Sequence, residues 1–191
     1  MRHRYLVICS LMLATAACGT KNAANEQTAG ADPEATATAS TAAIGGETSQ
    51  LPLTAQAFID AVSASDKFEI ESARIVQATG PGQPLTGFTQ MMLRDHQNST
   101  NELRAASNQA GGAQFDDQKL TDEQKADLAA LRGSGARMAA LYKRQQVTAH
   151  QKALAVLKTY AGSGDNQALM TFAGKAIPIV SHHLEEVQKL P

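Results

Sequence analysis

Beyond residue 53 the chain consists of four long stretches whose apolar residues return every three to four positions, each stopping at a glycine-bearing turn. That period predicts helices. A sheet would ask for alternation and for β-branched and aromatic side chains, and aromatics make up only 4% of the 191 residues. The first stretch covers about residues 54–79 and ends at Gly80-Pro81-Gly82. The second runs over about 84–110, opening on Pro84, which suits a first helical turn, and closing at Gly111-Gly112. Thr121-Asp122-Glu123-Gln124 is a capping box and predicts a short helix that stops near Gly133. The third long helix is expected over 134–161 with Ser134 as its N-cap, and the fourth over 166–190 with Pro178 marking a kink or a break. Short turns within the first and last pairs imply antiparallel neighbours. The expected fold is all-α: an up-down four-helix bundle with a short extra helix between the second and third long ones.

The part ahead of this domain has a different composition and a different task. Arg2 and Arg4 precede an apolar run over residues 5–17, the layout of a secretory signal peptide. The run falls short of the roughly 20 residues that a membrane span needs. It ends in Thr15-Ala16-Ala17-Cys18, which resembles a bacterial lipobox with Thr where Leu is usual, so cleavage before Cys18 and lipidation of Cys18 are expected. Ordinary cleavage near the same alanines is the alternative. Cys9 leaves with the signal, and acylation would remove the one remaining thiol. Gly19 after the lipid site implies, by resemblance to Gram-negative sorting rules, an outer-membrane lipoprotein with its domain in the periplasm. Over residues 18–53 the large aliphatics are Ile44, Leu51 and Leu53, too few to offset ordering entropy. That segment reads as a flexible tether spanning roughly 30 Å. The organisation is therefore signal peptide 1–17, lipidated Cys18 and tether 18–53, and helical domain 54–191.

Charge and cysteine content exclude several function classes. The 17 Lys and Arg nearly balance the 18 Asp and Glu, for a net charge of -1, and loss of Arg2 and Arg4 makes it -3. No nucleic-acid footprint follows from that. Two cysteines are too few for a disulfide scaffold or a Cys-based zinc cluster. The partners left are the membrane, through the lipid anchor, and an envelope protein or a second copy of the chain.

Helical positions at 100° per residue place polar side chains on the apolar faces. Glu69 lies in the stripe of Phe58, Val62, Ala73 and Val76. Asp95 and His96 flank the stripe of Phe88, Met92 and Leu103. His150 sits among Val147, Ala153, Leu154 and Leu157, with Gln146 one turn before it, and His183 among Ile179, Val180 and Val187. Buried groups of this kind need partners or a metal. Measured from one shared end of the bundle, Glu69 lies 10 residues from Thr79, His96 11 from Leu85 and His150 11 from Ala161, so the three come level. His183, 17 residues from Asn166, is expected about 9 Å deeper, near Gln146 and Tyr142. Glu69, Asp95, His96, His150 and His183 form a candidate set for Zn, Cu, Fe or Mn, with Tyr142 and Gln146 behind them. A hydrogen-bonded structural network is the alternative. No helix carries the Glu-x-x-His pair of a di-iron centre, Met91, Met92 and Met138 read as core filler, and no nucleophilic catalytic pattern is present.

Several short motifs, in order, resemble one known family. They are Phe58, Phe68-Glu69-Ile70, Met91-Met92-Leu93-Arg94-Asp95-His96, Tyr142 with Ala149-His150-Gln151, and Pro178 with His183-Leu184. Together they are similar to the bacterial envelope family called domain of unknown function 4142, over about residues 54–190. The resemblance implies a ferritin-like helical bundle and an outer-membrane or periplasmic setting, and it brings no activity. It also implies that Asp95, His96, His150 and His183 occupy recurring positions, whereas the Phe-Asp often found ahead of the tyrosine is replaced here by Met138-Ala139. Two functions are carried forward: an anchored lipoprotein whose bundle binds a ligand, metal or envelope partner without catalysis, and a metal-dependent redox or stress-protection enzyme.

Overall fold

Local signals start and stop the helices much as their chemistry dictates. A computed structural model of the chain describes residues 53–116 and 119–191. The expected signal peptide (1–17), Cys18 and all but the last residue of the expected tether (18–53) lie outside the described residues. Thr54 accepts a hydrogen bond from the Ala57 amide and opens α1 (Ala55–Gln77). Helix α2 (Leu85–Gln109) follows Pro84. The reciprocal bonds of the capping box between Thr121 and Gln124 open α3 (Asp122–Arg132). Helix α4 (Met138–Ser163) starts four residues later than the periodicity predicts. Ser134 is not its cap: the hydroxyl donates to the Leu131 carbonyl at 2.6 Å, and Gly135, at φ +53°, turns the chain into a single 3-10 turn first. Asn166 accepts from the Ala168 and Leu169 amides and opens α5 (Gln167–Lys189), which runs through Pro178 without a break. Helices make up 81% of the described residues, and no strand occurs among them. None of these helices is long and apolar enough to cross a membrane.

Helix α1 packs on α2 and α4, and α5 packs on the same two, so the four long helices form a ring; α3 lies against α1 and α4. Two apolar clusters give the helix directions. One joins Phe58, Ile59 and Val62 from the start of α1 with Leu103 and Ala106 from the end of α2, Leu157 and Tyr160 from the end of α4, and Leu169 and Phe172 from the start of α5. The other joins Ala73 and Val76 with Phe88 and Met92, Tyr142, Val187 and Leu190, the opposite ends of the same helices, and takes in Leu131 of α3. Hydrogen bonds agree: Ala55 N donates to Asp165 at 3.2 Å, and Asn166 donates to the Ala110 carbonyl at 3.1 Å.

Every neighbouring pair in the ring is thus antiparallel, but the order differs from the expected simple up-down succession. Helices α2 and α4 run the same way, and the chain between them, carrying α3, travels the length of the α1–α4 face. The turn after α1 and the turn after α4 therefore lie at opposite ends. This removes the shared end on which the predicted depths of the polar residues were measured.

Candidate metal centre

Between the two apolar clusters lies a layer of buried polar side chains. Measured from the end they do share, Ala55 to Glu69 is 14 residues, His96 to Gln109 is 13, His150 to Ser163 is 13, and Gln167 to His183 is 16. All four reach one level, and the predicted offset of His183 does not occur. His150 came out level on the other measure only because it sits near the middle of α4.

His96, His150 and His183 meet there, with one nitrogen of each ring within 4.8 Å of one nitrogen of the others. The ring centroids are 5.3 to 5.8 Å apart. Each ring is held by its other nitrogen. His96 Nδ1 donates to Asp66 Oδ1 at 2.8 Å, His150 Nδ1 to the Gln146 carbonyl at 2.8 Å, and His183 Nε2 to Asp95 Oδ2 at 3.0 Å. A carboxylate or carbonyl only accepts, so these nitrogens carry the hydrogen and the neutral rings present bare lone pairs at His96 Nε2, His150 Nε2 and His183 Nδ1. Those three atoms are buried without a hydrogen-bond partner. Glu69 Oε2, Tyr142 Oη and Gln146 Oε1 are in the same condition. So many unpaired atoms in one layer is unusual for a folded interior, where buried polar groups find partners, ordered water or an ion.

The outer ring of this arrangement is equally specific. Asp66, 3% exposed, also accepts from Thr100 Oγ1 at 3.2 Å. Gln146 Nε2 donates to Ser72 Oγ at 3.2 Å. Glu69 Oε1 approaches His150 Nδ1 only to 3.8 Å, beyond hydrogen-bond range. Asp95 stands at the rim rather than in the centre, with its oxygens shared between His183 and the Arg94 guanidinium. Sequence reasoning passed over Asp66, although it lies one turn after Val62 and three residues before Glu69 on the inward stripe of α1.

Burial and mutual repulsion set the protonation states. Burial pushes the Glu69 carboxyl from 4.5 up to about 7, against the nearby His96 charge. It lowers His150 to about 3 and His183 to about 4, with the His96 charge adding to both. For His96 burial acts downward, but the bonded Asp66 and the nearby Glu69 and Asp95 outweigh it and raise the ring above 6.5. Burial and the Glu69 charge raise Tyr142 well above 10. At Asp95 burial acts upward, and the bonds from Arg94 and His183 prevail and lower it. The cage accordingly favours one positive charge among three imidazoles, a condition that a proton on His96 or a bound cation satisfies.

Residues 37–190 match the family described as Domain of unknown function (DUF4142). The match takes in the whole span over which the motifs resemble that family. No curated protein matches the chain, and no solved structure does.

Proposed function

This chain belongs to the DUF4142 family, and for it we propose that the helical domain is a metal-binding module holding one transition-metal cation among His96, His150 and His183. The observation that carries this reading is the convergence of three buried imidazoles, each with one nitrogen unpartnered and the other tied down. Metal-ligating histidines are oriented in this way by carboxylates and carbonyls. An acceptor buried without a partner costs about 1–3 kcal/mol, and one cation relieves all three together. Nitrogens about 2.0–2.1 Å from a tetrahedral ion lie about 3.4 Å from one another. The present spacing of at most 4.8 Å asks for small ring movements. Glu69, buried in the same layer with Oε2 unpartnered and close enough to His96 for their charges to interact, adds a negative charge beside the site, and an imidazole-rich set favours Zn, Cu or Fe over Mn, which prefers oxygen.

The fold supports the same reading. Two antiparallel hairpins joined by one long crossover is the connectivity of a ferritin-like bundle, here with three histidines where such bundles place di-iron carboxylates. We place the domain in the periplasm, on the tether 18–53 and the lipid of Cys18. Cys18→Ser is expected to abolish fatty-acid labelling and release the chain from the membrane fraction; persistent labelling would remove the anchor from this picture.

The metal reading is tested on chelator-treated protein titrated with Zn, Cu, Fe and Mn in turn. One equivalent of at least one ion is expected to bind. At free metal about 100 times Kd it should raise Tm by about 5–10 °C. Failure to take up any of the four stoichiometrically ends the reading and leaves a hydrogen-bond network. A metal-dependent redox or stress-protection enzyme is the second reading, and the cavities that reach His96 from two sides favour it, because an ion with an accessible position can take a small molecule.

A further inference from the structure

We propose that the cleft between α2 and α5 is the route by which the cation reaches the three histidines, with Glu102 as the charge that attracts it; this rests on the metal-binding reading above. The cleft is a cavity of about 260 Å³ whose walls include Asp95, His96, Ser99, Glu102, Ile179 and His183. Its residues grade inward. Glu102 is exposed, the Asp95 side chain is 21% exposed and that of His183 is 1% exposed. His183 Nδ1 and His96 Nε2, both buried and unpartnered, belong to residues of its inner wall. A cation moving down the cleft passes from carboxylates to imidazoles, and the His183–Asp95 contact of 3.0 Å stands between the two.

A second cavity, about 400 Å³, reaches His96 from the side of α1, α3 and α4. Its connection to the centre is narrower. Of the three histidines it is lined by His96 alone, whereas the α2–α5 cleft is lined by both His96 and His183. Carboxylates line it too, among them Asp60 and Asp127, and Lys152 neutralises Glu123 there at 2.8 Å. In the α2–α5 cleft Arg94 offsets Asp95 at 2.8 Å, so Glu102 supplies the net negative charge. A single net charge at a mouth acts on the rate of encounter more than on final affinity.

The experiment follows Zn²⁺ uptake by the metal-free full chain in a stopped-flow instrument, in competition with a chromophoric chelator. At low ionic strength Glu102→Gln should slow association about 3-fold and Glu102→Lys about 10-fold, with one Zn²⁺ still bound at the end. The difference should shrink as salt is added. Glu123→Lys, at the mouth of the other cavity, should load at the rate of the unmodified chain. Equal rates for Glu102→Lys and the unmodified chain overturn the route, as does an equal slowing in Glu123→Lys. An unmodified chain that takes up no Zn²⁺, Cu, Fe or Mn fails at an earlier step, since the metal site itself is then absent and the route falls with it.

Discussion

Replacing His150 with Ala is expected to weaken metal binding by at least about 100-fold. His150 is 1% exposed and its Nε2 has no other partner, so the substitution removes one of the three nitrogen donors outright. Loss of a residue that merely orients a ligand lowers metal affinity about 10–100-fold, and loss of the ligand itself should do no less. Asp66→Asn belongs to the orienting class: the amide oxygen can still accept from His96 Nδ1, but the negative charge that holds the ring is gone, and about 10-fold is expected. His182, exposed and adjacent to His183, serves as control, and His182→Ala should bind like the unmodified chain. Competition titrations measure the affinities, and circular dichroism checks that each variant remains helical. Unchanged affinity in His150→Ala would mean that the ion binds elsewhere.

Glu69→Gln should have opposite effects with and without metal. In the metal-free protein burial raises the Glu69 carboxyl from 4.5 to about 7. The folded state then keeps a proton that the unfolded chain gives up, so the stabilisation is present at low pH and drains away as pH rises from about 4.5 to 7. A shift of this size corresponds to about 3 kcal/mol. Gln fills the same space and never ionises, so the metal-free variant should gain steadily on the parent across that window. Above pH 7 it should stand about 3 kcal/mol more stable, about 10 °C in Tm. His150 and His183 act in the other direction: their lowered values of about 3 and about 4 mean that stability present above pH 6.5 is lost as pH falls toward those values, in parent and variant alike. With metal bound, the ion replaces the proton and an ionised Glu69 becomes an asset, so Glu69→Gln should bind metal more weakly. Urea unfolding at pH 5 and pH 8, with and without metal, reads all four states. Parallel stability of parent and variant at both pH values without metal would contradict the buried, proton-holding carboxyl.

Helix existence and type were legible along the chain because their causes are local. Threonine, asparagine and glycine act within a turn of where they sit, and the expected starts at Thr54, Thr121 and Asn166 coincide with side-chain caps in the structure. The inward aspect of Glu69, His96, His150 and His183 was legible for a similar reason, since the angle of a residue on its own helix depends only on the 100° step. The family motifs, being short runs in order, were legible as well, and the match over residues 37–190 agrees with them.

Tertiary structure alone decided the rest. Whether α4 starts at the end where α2 stops or at the far end depends on where the crossover and Leu131 of α3 dock, which no local signal encodes. That choice brought His183 level with the other two rings. Asp66 and Asp95 show the same division at the scale of one side chain. Both lie on or beside an inward stripe, yet Asp66 became a buried partner because His96 meets it from 30 residues away, and Asp95 became a rim carboxylate because His183 meets it from 88. A side chain's angle follows from its own backbone, but its partner follows from how separate helices align, and that alignment is set by the summed packing of two apolar clusters.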